Sequence, residues 1–191
     1  LMLIDKLTDK GKVLFMAPTR PLAEQHYNSI IKHLDIDQDY VVLITGTITP
    51  KKRQPLWDKK IIIATPQTAR NDLKNKLFSL NGFSMCVIDE AHRSVGNYAY
   101  TFVAGKCLKE NILILGLTAS PGGDPERIRS IMEVLGIKNV EIRSRHDIDV
   151  KPYVKEIKIN WIKVELGGDI KDAAMILRSS IKKYAKLFRK W

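Results

Sequence analysis

Two adjacent carboxylates follow a short apolar run near the middle of the chain. The run Met85–Ile88 leads directly into Asp89 and Glu90, and then into Ala91 and His92. A buried strand would hold Asp89 at its carboxyl end, where a hydrated Mg²⁺ on nucleotide phosphates would sit, with Glu90 beside it to orient a water molecule. A strand that ends in an ordinary polar turn explains the same residues. Motifs elsewhere in the sequence are needed to distinguish these two interpretations.

Short β-branched runs alternate with longer amphipathic stretches from Gly11 onward, which is the pattern of an α/β fold with a parallel sheet wrapped by helices. Strands are predicted at Val13–Met16, Val41–Ile44, Ile61–Ala64, Met85–Ile88, Ile112–Leu117, Val140–Ile142 and, nearer the carboxyl terminus, Ile157–Trp161. Helices are predicted at Pro21–His33, Thr68–Asn75, Ala99–Cys107 and Pro125–Leu135. Ligands gather at the carboxyl ends of the strands in such sheets, and polar residues of this chain cluster there.

Polar turns follow the first three predicted strands. The first is Pro18-Thr19-Arg20-Pro21, where a proline in the first helical turn leaves backbone N–H groups facing outward to receive a phosphate. The second strand ends at Thr45-Gly46, and the third at Thr65-Pro66-Gln67-Thr68. Turns of this kind can line a nucleic-acid backbone and fix its register without reading bases. The first turn, taken alone, is better explained as an ordinary helix start.

The fifth predicted strand ends in Thr118-Ala119-Ser120, a small-residue turn with two hydroxyl groups. In a sheet that also carries the Asp-Glu-Ala-His turn, these hydroxyls can hydrogen-bond His92. Such a bond would report the state of the nucleotide to a nucleic-acid groove. The three residues in isolation are a weak signal.

The order and spacing of these strings resemble the first, RecA-like motor domain of superfamily-two helicases. Pro18–Arg20 matches motif Ia, Thr45-Gly46 and Thr65–Thr68 match the next two nucleic-acid motifs, Asp89–His92 matches motif II, and Thr118–Ser120 matches motif III. The twelve-residue run from Asp89 to Tyr100 more narrowly resembles archaeal Hef and its eukaryotic relatives, the Fanconi anaemia group M protein and its fungal counterpart. The strings 116–122 and 151–155 add support, and the resemblance covers nearly the whole chain.

This resemblance implies an ATP-dependent DNA translocase that acts on forked or branched DNA during repair of stalled replication, with ATP and Mg²⁺ as cofactors. It implies that Asp89 holds Mg²⁺ through water and that Glu90 positions the attacking water. His92, Thr118 and Ser120 would couple hydrolysis to movement. The implied nucleic-acid-binding residues are Thr19, Arg20, Thr45, Gly46, Thr65, Gln67 and Thr68. The implied partners are DNA, a second motor domain and a helical insertion of the same polypeptide, and an optional nuclease domain.

The sequence departs from the family pattern at the phosphate-binding loop. The Walker A pattern G-x-x-x-x-G-K-[ST] is absent, because Gly11-Lys12 is followed by Val13 and Gly105-Lys106 by Cys107. The chain opens on Leu1, and we interpret it as a fragment that begins downstream of this loop and lacks the motifs of the second motor domain. These 191 residues alone are therefore expected not to hydrolyse ATP.

The last third of the chain carries most of the positive charge. The net charge is +11, and residues 127–191 hold 16 basic against 8 acidic residues. After Gly167-Gly168, Asp169 can cap an amphipathic helix. We expect residues 1–166 to form the motor domain and residues 167–191 to be the first helix of a helical insertion, which in Hef-like proteins is thought to grip branched DNA. A solvated helix face explains its basic residues equally well.

Composition limits the class of protein further. The chain is 45% hydrophobic, which suffices for a core, and its apolar runs stop far short of the roughly 18 residues of a transmembrane helix. No signal peptide opens the chain, so we expect a cytoplasmic protein, nucleoid-associated if archaeal, with no membrane partner. Cys86 and Cys107 lack metal-ligand spacing and are expected to be buried thiols. His26, His33 and His146 have no partner spacing for metal binding or nucleophilic catalysis.

Two rival functions remain open. An RNA-directed member of the same superfamily, such as the helicase part of Dicer or of innate RNA sensors, has a similar motif III, but the string Gly96–Tyr100 argues against it. A non-catalytic nucleic-acid-binding module would lack Walker A, but it need not keep Asp89 and Glu90. A G-K-T encoded upstream of Leu1 would support the enzyme, whereas a start codon near Met2 would support the module.

Overall fold

The computed structural model describes residues 4, 6, 8–96, 98–120, 122–144, 147–148, 150–153, 160–163 and 167–188, without the side chains of residues 98, 153 and 186–188. Two units make up the chain, residues 1–141 and residues 142–191. His146, residues 157–159 of the predicted strand at 157–161, residues 154–155 of the string 151–155, and the last three residues lie outside the described residues. The sheet and the candidate site belong to the first unit.

A five-stranded parallel sheet forms the centre of the first unit, with the strand order β2-β3-β1-β4-β5. The strands are β1 (Lys12–Met16), β2 (Val41–Ile44), β3 (Ile61–Ala64), β4 (Phe83–Ile88) and β5 (Leu113–Gly116). The central strands read as continuous apolar runs because both of their faces are covered. The pairing register places Ile44, Ala64, Met16, Ile88 and Gly116 level with one another at the carboxyl ends.

Four helices lie in the connections between successive strands, and two more follow the last strand. They are α1 (Arg20–His33), α2 (Pro50–Arg53), α3 (Pro66–Lys74), α4 (Tyr98–Lys109), α5 (Pro125–Leu135) and α6 (Gly168–Phe188). Short 3₁₀ turns lie at Gln38–Tyr40, Gln54–Asp58, Ala91–Arg93 and Lys151–Tyr153. The four helices predicted within the first unit and its five strands agree with the structure to within two residues at each end.

The sheet separates two apolar layers, since alternate side chains of a strand point to opposite faces. Leu14 and Met16 of β1 pack on one face with residues of α3, α4 and α5. Val13 and Phe15 pack on the other face with residues of α1. Helices thus cover both faces, and the RecA-like α/β fold predicted from the sequence is confirmed.

Both cysteines belong to the first of these layers. Cys86 on β4 and Cys107 on α4 are fully buried and free, as the sequence predicts. A hydrogen bond with Cys107, together with burial, raises the pKa of the Cys86 thiol well above its ordinary value. Burial keeps both thiols away from solvent, so neither is placed to act as a nucleophile.

The predicted strand at Val140–Ile142 is wrong. The segment after α5 has no regular secondary structure, and its Val140 and Ile142 side chains are 53% and 78% exposed. β-Branched residues favour an extended backbone, but a strand also needs a neighbour, and none of the strands that the structure describes pairs with this segment. The short helix α2, which forms part of the connection between β2 and β3, was not predicted from the sequence.

The described part of the second unit contains one long helix, α6. It begins at Gly168, one residue before Asp169, which was predicted to be its cap. The side chains of Ile170, Ile181 and Tyr184 on this helix are exposed. The domain boundary at 166/167, and the assignment of this helix to a helical insertion, stay predictions. Among the described helices, none has both the length and the apolarity required to cross a membrane.

Candidate functional site

Five polar turns lie along one edge of the sheet. Because the strands are parallel and their ends are level, the chain leaves every strand at this edge. These turns and the first residues of the helices that follow them hold every residue that was predicted from the sequence to be functional. These residues are Thr19, Arg20, Thr45, Gly46, Thr65, Gln67, Thr68, Asp89, Glu90, His92, Thr118 and Ser120.

Hydrogen bonds from three neighbouring elements hold the turn after β4. The backbone N–H of Asp89 donates to the Met16 carbonyl over 2.9 Å, and that of Ala91 donates to the Leu117 carbonyl over 2.8 Å. The Tyr100 hydroxyl from α4 donates to the Asp89 carbonyl over 2.9 Å. Burial, and then the nearby charge of Asp89, raises the pKa of Tyr100 above its ordinary value. The phenol therefore stays protonated and remains a donor.

Glu90 has a left-handed backbone conformation, with φ 52° and ψ 47°. This conformation costs a non-glycine residue about 1–2 kcal/mol, and it persists where the surrounding structure imposes it. The Arg93 N–H donates to the Glu90 carbonyl over 2.8 Å and closes the following 3₁₀ turn. Gly116 on β5 allows this turn to approach the sheet, since a Cβ atom at that position would lie 3.1 Å from the Cβ of Ala91.

The carboxylate of Asp89 contacts a histidine of α1. Asp89 Oδ2 lies 2.8 Å from His26 Nε2, and the two side chains are 17% and 28% exposed. The imidazole also packs on the Phe15 ring of β1, with 4.5 Å between the ring centroids. An ionised carboxylate can only accept a hydrogen bond, so the Nε2–H of His26 is the donor.

Glu90, His92 and Thr118 form a chain of contacts across two turns. His92 Nδ1 lies 3.2 Å from Glu90 Oε2 and 2.9 Å from Thr118 Oγ1. The backbone N–H of Ser120 donates to Thr118 Oγ1 over 3.2 Å. The structure therefore brings the turn after β4 and the turn after β5 into direct contact. Ser120 contributes its backbone to this chain, and its side chain is exposed.

The turn before α1 presents Thr19 and Arg20 to solvent. Thr19 precedes the helix in extended conformation and makes no side-chain capping bond, and Pro21 lies in the first turn. A helix start of this kind attracts anions through its backbone N–H groups and the helix dipole. Arg20 Nε donates to Glu24 Oε1 over 2.7 Å in an exposed pair, which a phosphate can replace at little cost.

The turns after β2 and β3 expose some of their predicted residues and bury others. Gly46 and Gln67 are exposed, whereas Thr45 and Thr68 are only 5% and 6% exposed. The Thr65 and Thr68 hydroxyl oxygens lie 2.9 Å apart. Thr45 and Thr68 are therefore placed to hold their turns in shape, and a nucleic-acid contact by their side chains stays a prediction.

A buried ion pair that the sequence analysis did not select supports both of these turns. The Arg53 guanidinium from α2 forms two hydrogen bonds with the carboxylate of Asp72 on α3, which also accepts one from Trp57 Nε1 over 3.0 Å. Arg53 donates as well to the Ile48 carbonyl, in the turn after β2. The hydrogen bond with Asp72 raises the pKa of Arg53. The pair thus ties the turn after β2 to the helix that follows β3.

The end of β4 holds one carboxylate that could contribute to a metal site. Among the described residues, no group of three or more His, Cys, Asp or Glu could enclose a metal ion. Mg²⁺ is commonly bound by one or two carboxylates together with water and substrate phosphates. Asp89 offers such a carboxylate, half-buried at the edge of the sheet.

Comparisons with known proteins agree with this geometry. Residues 1–128 match the DEAD/DEAH box helicase family. The chain belongs to this family. The helicase domain of Hef from Pyrococcus furiosus has a similar structure, with a TM-score of 0.76, 42% sequence identity, and coverage of 97% of this chain and 41% of that one.

Two relatives place this helicase chain more narrowly. MJ1505 of Methanocaldococcus jannaschii, whose name reads ATP-dependent RNA helicase, is 44% identical over 191 residues, which are 99% of this chain and 24% of that protein. The ATP-dependent DNA helicase mph1 of Sclerotinia sclerotiorum is 36% identical over 166 residues, which are 85% of this chain and 13% of that protein. The resemblance to the first motor domain of Hef and Fanconi anaemia group M helicases is confirmed. The chain spans less than half the length of each of these proteins.

The supporting roles of three residues were not predicted from the sequence. These residues are His26, Tyr100 and Arg53. His26 lies between Ala23 and Ile30 on the buried stripe of α1, and a polar residue on such a stripe is a signal that it has a partner. Its partner could not be known, because Asp89 is 63 residues away in the sequence. Tyr100 gives a similar signal on α4.

Proposed function

We propose that the full-length protein containing this helicase chain is an ATP-dependent DNA translocase that acts on forked or branched DNA in the repair of stalled replication. The observation that carries the proposal is the chain Glu90–His92–Thr118, which lies beside Asp89 and on the same edge as the turns for nucleic acid. Coupling between a catalytic site and a polymer-binding surface requires contacts that respond to both, and this chain of contacts connects the proposed catalytic carboxylate to a second turn of the same edge. The protein would act in the cytoplasm, on chromosomal DNA.

ATP and Mg²⁺ are the proposed cofactors. When bound by Asp89 through water, Mg²⁺ neutralises charge on the nucleotide phosphates. The hydrogen bonds to its backbone and to His26 hold Asp89 in one orientation for that purpose. The sequence contains no Walker A motif, so the proposed ATP site also requires residues beyond these 191.

Glu90 is the proposed base that positions the attacking water. Its side chain is 35% exposed and remains within reach of a bound water molecule, while its left-handed backbone fixes where the carboxylate begins. His92 contacts this carboxylate and also the Thr118 hydroxyl. A change in the charge or position of Glu90 during turnover is therefore passed to the turn after β5 through a single imidazole.

The exposed residues of the other three turns are the proposed contacts to one nucleic-acid strand. Thr19, Arg20, Gly46 and Gln67 present hydroxyl, guanidinium, backbone and amide groups, which are the usual donors to phosphate oxygens. A translocase requires contacts that do not depend on the bases, and contacts to phosphates have this property. The second motor domain and helical insertion of the same polypeptide, and an optional nuclease domain, are the proposed protein partners.

DNA rather than RNA is the proposed substrate. The string Gly96–Tyr100, which the sequence analysis associates with Hef and its relatives, follows the turn after β4 and contributes the Tyr100 hydrogen bond to Asp89. The printed names of relatives differ, since mph1 is called a DNA helicase and MJ1505 an RNA helicase. An RNA-directed helicase is therefore the second candidate, and a non-catalytic binding module the third.

ATP hydrolysis by the full-length protein tests the proposal, measured with forked DNA, linear duplex DNA and a forked RNA duplex of the same sequence. Forked DNA should stimulate most. Glu90→Gln should retain nucleotide binding and lower turnover by at least about 100-fold, because a general base contributes about 10²–10⁴-fold. Glu110→Gln, an exposed acid at the opposite edge of the sheet, is the matched control and should leave turnover unchanged.

Each rival has its own outcome. Equal or greater stimulation by the RNA fork would support the RNA helicase, and unstimulated, undetectable turnover in the unmodified protein would support the binding module. Unchanged hydrolysis in Glu90→Gln would refute the assignment of the base. Calorimetry of the 191-residue chain with Mg-ATP should show no tight binding, and tight binding would contradict the need for a Walker A loop.

A further inference from the structure

The hydrogen bond between His26 and Asp89 joins helix α1 to the turn after β4, two parts of the proposed motor domain that are far apart in the sequence. Helix α1 begins at the turn with Thr19 and Arg20, where a nucleic-acid strand is proposed to bind. Six residues beyond Arg20, or about 9 Å along the helix axis at 1.5 Å per residue, His26 contacts the proposed magnesium carboxylate. One helix therefore carries a polymer contact at its start and a contact to the metal ligand on its side.

The helix is well placed to act as a rigid connection. Ala23 and Ile30, three residues before and four after His26, are buried on the same stripe against the sheet. The imidazole is also packed on Phe15, which is itself only 4% exposed. A displacement of α1 relative to β1 would therefore move the His26 ring relative to Asp89.

Asp89 is held by its backbone on the remaining sides. Its N–H donates to Met16 on β1, and its carbonyl accepts from Tyr100 on α4. These two bonds fix the main chain and leave the rotation of the carboxylate to be decided by side-chain contacts. His26 makes the contact to Oδ2 that fixes this rotation. The imidazole thus approaches Asp89 from the face of the sheet opposite to Tyr100.

We propose that His26 is a positioning residue, which orients the Asp89 carboxylate for Mg²⁺ and links the metal site to nucleic-acid binding at the start of α1. The inference rests on the proposed function. Hydrogen bonds from second-layer residues to metal-binding carboxylates typically change metal affinity 10–100-fold. The role requires a donor at the position of Nε2, which glutamine can also provide through its amide. The purely structural alternative is that His26 only fills space against Phe15.

Nucleotide binding by the full-length protein separates these roles. In a Glu90→Gln background, which prevents turnover, binding of a fluorescent ATP analogue is titrated with Mg²⁺ and, in parallel, with Mn²⁺ followed by electron paramagnetic resonance. His26→Leu should raise the metal concentration for half-maximal binding about tenfold. His26→Gln should stay within about twofold of the unmodified residue. Binding in EDTA should be the same for all three proteins.

The link to nucleic acid has a separate readout in the otherwise unmodified protein. The ratio of DNA-stimulated to basal ATP hydrolysis should fall in His26→Leu and be largely restored in His26→Gln. His33→Leu, on the same helix two turns further on and bonded to the Ser29 carbonyl, is the matched control and should change neither readout. Asparagine at position 26 is too short to reach Asp89, so His26→Asn should show the loss expected for His26→Leu, and it replaces that variant in the test if the leucine variant folds poorly.

Four results would overturn the proposal. They are an unchanged metal dependence in His26→Leu, an equal loss in His26→Leu and His26→Gln, equal behaviour of His26→Asn and His26→Gln, or the same loss in His33→Leu. Failure of the proposed function looks different, because Glu90→Gln would then continue to hydrolyse ATP or the unmodified protein would show no metal-dependent nucleotide binding at all.

Discussion

His92 Nδ1 lies 2.9 Å from Thr118 Oγ1, so that one hydrogen bond joins the turn after β4 to the turn after β5. These strands are neighbours, and the level register of Ile88 and Gly116 brings the two turns to the same height. The bond needs both a histidine two residues after Glu90 and a hydroxyl two residues after Gly116. It connects the proposed catalytic carboxylate to a second turn of the sheet edge through side chains.

Replacing Thr118 with valine should separate ATP hydrolysis from DNA unwinding. Valine keeps the shape of threonine and removes the hydroxyl, so His92 loses one partner while it keeps its contact with Glu90. A net hydrogen bond contributes about 0.5–1.5 kcal/mol, and we expect fork unwinding by the full-length protein to fall about tenfold while ATP turnover falls less. Thr118→Ser restores the hydroxyl and should restore unwinding. Equal unwinding by the valine variant would contradict the coupling role.

Arg20→Gln should weaken binding of the full-length protein to forked DNA and lower the salt dependence of that binding. Each phosphate neutralised by a basic side chain adds about one to the slope of log K against log salt, so the slope should fall by about one. The measurement is fluorescence anisotropy between about 50 mM and 200 mM salt. Lys60→Gln, at the amino edge of the sheet, is the matched control. A slope that does not change in Arg20→Gln would remove this residue from the proposed interface.

Asp72→Asn should destabilise the fold strongly. Asp72 is fully buried and accepts hydrogen bonds from Arg53 and Trp57, so the change leaves the buried guanidinium charge without its counter-ion. Loss of one partner of a buried pair costs about 3–5 kcal/mol. Urea unfolding of the 191-residue chain measures this cost. Asp58→Asn removes the exposed partner of Lys12 and should cost less than about 1 kcal/mol, and similar costs for both variants would contradict the assignment.

The contribution of Tyr100 to stability should depend on pH at the alkaline end. Its pKa is raised from the ordinary value of 10.0, chiefly by burial, so the folded state keeps the proton that the unfolded state loses. The stability that Tyr100 adds over Tyr100→Phe is therefore fully present below pH 10 and declines as the pH rises through the raised pKa. Urea unfolding of both proteins at about pH 8 and about pH 11, on either side of the ordinary tyrosine pKa, measures the difference.

The exposed Tyr40 provides the control for that measurement, since Tyr40→Phe should make a difference that is small at both pH values. If the stability difference between the unmodified protein and Tyr100→Phe were the same at both pH values, burial of the Tyr100 phenol would not be linked to folding. The hydrogen bond to the Asp89 carbonyl would then have to be tested separately, by its effect on nucleotide binding in the full-length protein.

Much of the fold follows from local sequence. Runs such as Ile61–Ala64 are apolar throughout, which suits a strand covered on both faces, and turn residues mark where each run ends. The run at Val140–Ile142 has the same local preference and forms no strand, because its formation depends on a neighbouring strand rather than on its own residues. Local preference therefore predicted the strands that have partners and failed for the one that has none among the described residues.

The sequence by itself determined that the chain is a parallel α/β domain, that its polar turns share one edge, and that Asp89, Glu90 and His92 follow a buried strand. These properties are encoded by residues close together in the chain. Only the tertiary structure decided the strand order, the contact of His26 with Asp89 and the pairing of Arg53 with Asp72. Such contacts join residues that are 63 and 19 positions apart, and their geometry is set by how helices pack on the sheet, which no local spacing records.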